Sequence, residues 1–135
     1  MDRYIDSHNH MHALNWDQWE QFAMTGIVGA ILSCGNPHVY REIWETPPTA
    51  GDILRFWESP IRMARVSEEK HFMRIRCAVG VSSMTRVEDW ETLIEKLPGY
   101  LSDPHVAAVG EAGLDPSQYF GLTWPLEDQA RCLEA

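Results

Sequence analysis

Two histidines near the N-terminus, His8 and His10, are separated by one residue and follow the short segment Tyr4-Ile5-Asp6. In a β-strand, side chains two residues apart lie on the same face, so both imidazoles would lie on one side at the carboxyl end of a strand. Two imidazoles arranged in this way can bind one divalent metal ion, because imidazole nitrogen is a common metal ligand. A metal in such a position indicates hydrolytic chemistry, since the ion lowers the pKa of a bound water molecule.

Two carboxylates in the second half of the chain could complete such a site. Glu111 follows a fourth apolar segment and could be a further ligand; its alternative role is a helix cap or a surface carboxylate. Asp115 is expected as a catalytic carboxylate on the substrate side, or as a brace for backbone N–H groups in its turn. The alternative for His8 and His10 is a solvated loop, and His12 is expected in the loop rather than on the metal.

Four strand-like segments provide the framework for these residues. The second is a continuous apolar run, as expected for a strand buried on both faces of a sheet. The third places Ile75, Cys77, Val79 and Val81 on one side. We predict strands at about Arg3–Asp6, Ile27–Leu32, Met73–Val81 and His105–Gly110.

Helix signals alternate with the strands. Asn15 is predicted as the N-cap of the first helix, and Ser59-Pro60 either divides the second helical segment into two helices or kinks a single one. A capping box at Thr85-Arg86-Val87-Glu88 opens the third helix, and Pro98-Gly99 ends it. The predicted helical segments are Trp16–Met24, Gly51–Phe72, Thr85–Leu97 and Pro125–Ala135.

The order of these elements is βαβαβαβα, without a visible linker, repeat or low-complexity tract. Strands that alternate with helices form parallel sheets through right-handed crossovers. We therefore expect an α/β protein in which residues 1–135 form a single partial domain, with outer helices around parallel strands. His71 and His105 flank strand starts and are expected to be structural. Trp44 and Trp57 are the tryptophans expected to face a substrate.

Composition limits the classes of partner. The formal net charge is −9, from 20 acidic and 11 basic residues, which argues against broad binding to nucleic acid or to an anionic membrane. It does not exclude an enzyme that contacts phosphate through a metal. No apolar run approaches the roughly 18 residues that a membrane span needs, and Asp2 and Asp6 interrupt any signal-peptide core. Three scattered cysteines without a CxxC motif indicate reduced thiols, with Cys77 in the core, and a cytoplasmic location.

Two segments resemble the hallmarks of the TatD-like metal-dependent hydrolases, which are amidohydrolase-like barrels. Asp6-Ser7-His8-Asn9-His10 is similar to the family's DxHxH start, and Gly110-Glu111-Ala112-Gly113-Leu114-Asp115 is similar to its GExGLD motif. The segment from Leu126 to Leu133 resembles the glutamine-containing helix that follows. Their order, with a spacing of about 100 residues, makes the two motifs together more specific than either alone.

The resemblance implies the N-terminal half of a TIM-type (β/α)8 barrel, four βα units of a fold that needs about 250 residues. It implies that His8 and His10 bind one metal and that Glu111 is a carboxylate ligand bridging two. Zinc is the expected ion, with manganese, iron or nickel as alternatives, and one or two ions bound. The implied function is hydrolysis of a phosphodiester or related ester bond by metal-activated water, as in a deoxyribonuclease. A small-molecule or nucleic-acid substrate would bind through the metal.

The chain departs from the family pattern at Gly80-Val81-Ser82-Ser83, where the family commonly has Gly-x-His-Pro. This difference keeps open a second function, that of an amidohydrolase acting on a C–N or lactone bond. The missing later strands keep open a third, a non-catalytic metal-binding or assembly module. We expect the isolated chain to lack hydrolytic activity, and to need the C-terminal half of the barrel or to self-associate, because a half-barrel exposes two unpaired sheet edges.

Overall fold

A computed structural model of the protein describes residues 3–11, 14–34, 47–83, 86–116 and 124–135. Within these ranges, strands and helices alternate along the chain, and the strands form one parallel sheet in the order β1-β2-β3-β4. The strands are β1 (Tyr4–Asn9), β2 (Ile27–Ser33), β3 (Arg74–Val79) and β4 (Val106–Val109). The helices are α1 (Trp16–Ala23), α2 (Ala50–His71), α3 (Trp90–Leu101) and α4 (Leu126–Glu134).

This arrangement confirms the predicted α/β class with parallel strands, and it agrees with half of a barrel-like fold. The central strands β2 and β3 are largely buried, whereas the edge strands β1 and β4 are largely exposed. The core contains Leu32 from β2 and Ile75, Cys77 and Val79 from β3, together with the buried Trp57 of α2. Closure into a barrel and the extent of the domain stay predictions. Among the residues that the structure describes, no helix combines the length and the apolar character needed to cross a membrane.

Strand β1 is longer than the sequence predicts, because it ends at Asn9 rather than at Asp6. Asp6 pairs with Ala30, and Asn9 pairs with Leu32, with an irregular register between the two pairs. Pairing with β2 therefore holds polar residues in an extended conformation that their own composition does not favour. As a result His8 lies within the strand and His10 directly follows it, which agrees with the prediction that both lie at the carboxyl end of a strand, although the strand ends three residues later than predicted.

Helix α2 is continuous through Pro60, so a second helix starting at Ser59 is not formed. The proline removes one backbone hydrogen bond from the helix. However, Ile53, Trp57 and Ile61 form one buried stripe across that position, and tertiary packing keeps the helix intact on both sides of it. The unpredicted N-cap is Thr49, which makes a reciprocal capping box with Asp52.

Helix α3 begins five residues later than the sequence predicts, at Trp90. Glu88 lies in the turn before the helix, and Thr85 lies outside the described residues, so the predicted capping box does not open α3. Asp89 occupies the N-cap position without capping its own helix. Its carboxylate instead accepts a hydrogen bond from the backbone N–H of Ala50 at 2.8 Å, at the start of α2.

The predicted stop at Pro98-Gly99 is also wrong, because α3 continues to Leu101. Tyr100 gives the reason. Its ring packs edge-to-face on the ring of Trp57, with centroids 5.2 Å apart, and its hydroxyl lies 3.4 Å from the Leu54 carbonyl oxygen. These contacts with α2 stabilise one more helical turn after the proline.

Other local predictions are confirmed. Asn15 caps α1 through a capping box with Gln18, and α4 follows Pro125 directly. Cys34, Cys77 and Cys132 are all free thiols and buried.

Candidate metal centre

Three predicted ligands come together at the carboxyl ends of the edge strands. Each of His8, His10 and Glu111 offers one ligand atom, and these atoms lie within 4.8 Å of one another. The Glu111 Oε1 atom lies 3.5 Å from Nε2 of His8 and 3.6 Å from Nε2 of His10. The two imidazole rings meet edge to face, with centroids 5.1 Å apart. The structure therefore joins residues that are about 100 positions apart in the sequence, as parallel topology requires.

These separations fit a shared cation better than direct contact. N–H···O hydrogen bonds have donor–acceptor distances of about 2.7–3.2 Å, most often about 2.9–3.0 Å. Both nitrogen–oxygen distances here are longer than that. Ligand bonds of about 2.0–2.2 Å to a tetrahedral ion would place two ligand atoms about 3.4 Å apart. The observed 3.5 and 3.6 Å match that spacing closely. Imidazole nitrogen and carboxylate oxygen are also the donor types that zinc and similar ions accept.

Local hydrogen bonds fix the segment that holds the histidines. The carboxylate of Asp6 accepts hydrogen bonds from Nδ2 of Asn9 at 2.6 Å and from the backbone N–H of His8 at 3.1 Å. The Asn9 side chain then accepts from the backbone N–H of Met11 at 2.6 Å. The Asn9 bond, followed by the His8 bond, holds the pKa of Asp6 below its usual value. Asp6 is therefore ionised at neutral pH and braces the turn around His8 and His10.

The end of this segment is anchored in the core by α1. The buried Met11 accepts a hydrogen bond at its carbonyl oxygen from Nε1 of Trp19 at 3.0 Å. Trp19 is itself fully buried, so the hydrogen bond lies within the core.

Glu111 is positioned by a close approach of β3 and β4. The backbone N–H of Gly110 donates to the Val79 carbonyl at 3.0 Å, and the peptide bond between Gly110 and Glu111 is cis. A Cβ atom on Gly80 would lie 2.9 Å from the nitrogen of Gly110 and 3.0 Å from its carbonyl carbon and oxygen. Only glycine at position 80 allows this approach, because the atoms that a Cβ would meet belong to the backbone of Gly110 and cannot rotate away as a flexible side chain could.

A serine that sequence reasoning missed completes the arrangement. Ser33, the last residue of β2, donates a hydrogen bond from Oγ to the Glu111 Oε1 atom at 3.0 Å. The same argument that singled out His8 and Glu111 could have found it, because Ser33 is the polar residue that ends a buried apolar strand. The Glu111 carboxylate is thus held by a residue of β2, and the oxygen atom that accepts this hydrogen bond, Oε1, also faces both imidazoles.

Comparison with known proteins agrees with this geometry. The chain is 32% identical over 110 residues to an uncharacterized metal-dependent hydrolase of Methanocaldococcus jannaschii. The match covers 82% of this chain and 41% of the relative, so the chain spans less than half the length of that curated protein. No family model matches the chain, and no solved structure matches it either. The similarity supports a relationship to metal-dependent hydrolases in general, without identifying a narrower family.

Asp115 is not part of the group of potential ligands found among the described residues. Its backbone is bound to the buried Gln129 of α4, which accepts from the Asp115 N–H at 2.7 Å and donates to the Asp115 carbonyl at 3.0 Å. Gln129 also donates to the Trp124 carbonyl at 2.9 Å. The glutamine in α4 therefore holds the segment that follows Glu111, and a catalytic role for Asp115 stays a prediction.

Two predictions about aromatic residues have different outcomes. Trp57 is fully buried beneath α3, so the prediction that it faces a substrate is wrong: the stripe of apolar residues in α2 turns it into the core. Trp44 and His12 lie outside the described residues.

The histidines that were expected to be structural lie away from the candidate metal centre. His105 precedes β4, with Nδ1 at 3.1 Å from Asp103 Oδ1 and Nε2 at 3.5 Å from Glu68 Oε2. His71 is the last residue of α2, and its ring centroid is 6.5 Å from that of Trp16. Both positions agree with structural roles.

Proposed function

We propose that this chain forms part of a metal-dependent hydrolase in which His8, His10 and Glu111 hold a divalent cation. The observation that carries the proposal is the meeting of two imidazole nitrogens and one carboxylate oxygen within 4.8 Å at the carboxyl ends of β1 and β4. The name of the relative, a metal-dependent hydrolase, supports the same chemistry.

The ligand residues are suited to a catalytic rather than a closed structural site. The three ligands found among the described residues would leave one tetrahedral position for water, whereas structural zinc sites use four protein ligands. The side chains of His8, His10 and Glu111 are 63%, 39% and 27% exposed, so solvent and a substrate can reach them. A cation held there would supply a water molecule of lowered pKa and polarise the bond to be hydrolysed.

The narrower function that we propose is that of a TatD-like hydrolase acting on a phosphodiester or related ester. Zinc is the proposed ion, with manganese, iron or nickel as alternatives, and Glu111 would bridge two ions if a second one binds. Asp115 would lie on the substrate side. Because the chain has a net charge of −9, a phosphate would be held by the metal rather than by a basic surface.

A second candidate, an amidohydrolase acting on a C–N or lactone bond, is favoured by the end of β3. Ser82 stands where the TatD-like pattern has a histidine, and its side chain is buried. A buried hydroxyl cannot replace an imidazole that faces a phosphate. Phosphodiester, ester and amide substrates should therefore be compared with the metal-loaded chain, although we propose that the isolated chain has little activity. Turnover that requires His8 and His10 would identify the substrate class.

Metal binding tests the proposal directly. The purified chain is titrated with Co²⁺, which unlike Zn²⁺ has d–d absorption, and the affinity for Zn²⁺ is then found by competition. We expect wild-type protein to bind and the His8→Ala/His10→Ala variant to bind far more weakly. His71→Ala is the matched control, because this histidine lies at the end of α2. Equal metal binding by wild type and by the double variant would show that the proposed site is wrong.

A further inference from the structure

We propose that Ser33 is a positioning residue of the metal centre, whose hydroxyl orients the Glu111 carboxylate towards both histidines. The inference rests on the proposed function, because it concerns the same site. Its observation is that three contacts meet at one atom: Oε1 of Glu111 accepts from Ser33 Oγ at 3.0 Å and lies 3.5 and 3.6 Å from Nε2 of His8 and His10.

The sheet topology explains why a residue from β2 can reach a side chain from β4. Ser33 pairs with Ala78 in β3, and Ala78 pairs in turn with Ala108 in β4. This row of paired residues contains only small side chains, and Gly80, which directly follows β3, has no side chain. The Glu111 carboxylate can therefore reach across the end of β3 to Ser33, which is only 4% exposed.

The hydroxyl selects one oxygen and one direction. A carboxylate oxygen has two lone pairs, and the Ser33 hydrogen occupies one of those on Oε1. The second is left for the gap between the imidazoles, so Glu111 would bind the ion held by His8 and His10 through a single oxygen. A glutamate side chain is otherwise free to rotate about several bonds and loses that freedom at an entropic cost. A hydrogen bond from a hydroxyl to an ionised carboxylate is strong enough to favour one orientation.

Ligand-orienting hydrogen bonds of this kind affect metal affinity without touching the ion. Loss of such a partner typically weakens metal binding by about 10–100-fold. We expect Ser33→Ala to weaken Co²⁺ binding by about that factor. We also expect it to change the Co²⁺ d–d spectrum, because the freed carboxylate can bind through both oxygens. Ser33→Thr keeps the hydroxyl and should restore both the affinity and the spectrum.

A second buried serine provides the control. Ser67 of α2 is fully buried, and its hydroxyl has no hydrogen-bond partner among the described residues. Ser67→Ala should leave Co²⁺ binding unchanged. Circular dichroism of each variant, recorded before the titration, shows that the fold is retained. All titrations use Co²⁺ alone with the 135-residue chain.

The outcomes separate the two proposals. If wild-type protein does not bind Co²⁺, the proposed metal centre is wrong. If wild type binds and Ser33→Ala has the same affinity and spectrum, the metal centre stands and the role of Ser33 is overturned. Equal weakening in folded Ser33→Thr and Ser33→Ala would also overturn that role, because the hydroxyl would not be the group that matters.

Discussion

Replacing Gly80 with alanine tests whether the close approach of β3 and β4 fixes the position of Glu111. The added Cβ would lie 2.9 Å from the Gly110 nitrogen and 3.0 Å from its carbonyl carbon and oxygen. Non-bonded carbon contacts are ordinarily about 3.5–4.0 Å, so the two strand ends must separate by about 0.5 Å or more. Every atom in the clash belongs to the backbone, so no side-chain rotation can relieve it.

The expected effect has two parts. Overpacking of this kind costs about 1–3 kcal/mol of unfolding free energy. Because Glu111 directly follows Gly110, the same shift would stretch the hydrogen bond from Ser33, now 3.0 Å, to about 3.5 Å, beyond the usual range for such a bond. Metal affinity should therefore fall by about 10-fold or more, as when a ligand-orienting bond is removed.

Urea unfolding and Co²⁺ titration measure these two effects, and Gly99→Ala is the matched control. A Cβ at Gly99 would meet no atom within 4 Å, and the residue lies on the exposed side of α3. Alanine there should stabilise the protein by about 0.5–1 kcal/mol and leave Co²⁺ binding unchanged. Wild-type stability and affinity in Gly80→Ala would refute the reasoning.

Two further predictions concern the cap of α2 and the edges of the sheet. Thr49→Ala should cost about 0.5–2 kcal/mol at pH 7. Hydrogen bonds from Thr49 lower the pKa of Asp52 below its usual value of 3.8. Part of the stability that Thr49 contributes is therefore present above pH 3.8 and is lost as the pH falls through the pKa of Asp52 in the folded protein. Urea unfolding should show that Thr49→Ala costs less stability at pH 3 than at pH 7, and an equal cost at both would contradict the role given to Thr49. The second prediction is that the chain self-associates, because β1 and β4 are the edges of the sheet formed by the described residues. Sedimentation velocity should show dimers or larger species, and a monomer at every concentration would contradict it.

Local patterns in the sequence predict most elements because their signals lie within a few residues. The apolar run of β2 and the cap at Asn15 both correspond to the structure. The alternation of strands and helices predicts a parallel sheet, because parallel neighbouring strands must be joined by a long crossover connection, which is usually a helix. The same local patterns do not predict what pairs with the two edges of the sheet.

The errors occur where contacts between elements override a local signal. Pro60 and Pro98 are ordinary helix breakers, yet α2 and α3 continue through them because Trp57 and Tyr100 pack between the two helices. The predicted capping box does not open α3, and the residue that takes the N-cap position, Asp89, bonds instead to the start of α2. Single-sequence reasoning cannot predict these outcomes, since each depends on an element far away in the chain.

The candidate site also has a part that is held by local contacts, around the histidines, and a part that is held by distant elements, around Glu111. Only the first part can be predicted from the sequence together with what holds it. The histidine side is fixed by bonds among Asp6, Asn9 and their neighbours, each of which spans at most three residues, so a short motif contains both the ligands and their supports. The Glu111 side is fixed by Ser33, which is 78 residues away, and by the absence of a side chain at Gly80. A motif can name this carboxylate but cannot name what orients it. Substitutions at the second set of positions should therefore change metal affinity while both recognisable motifs remain intact.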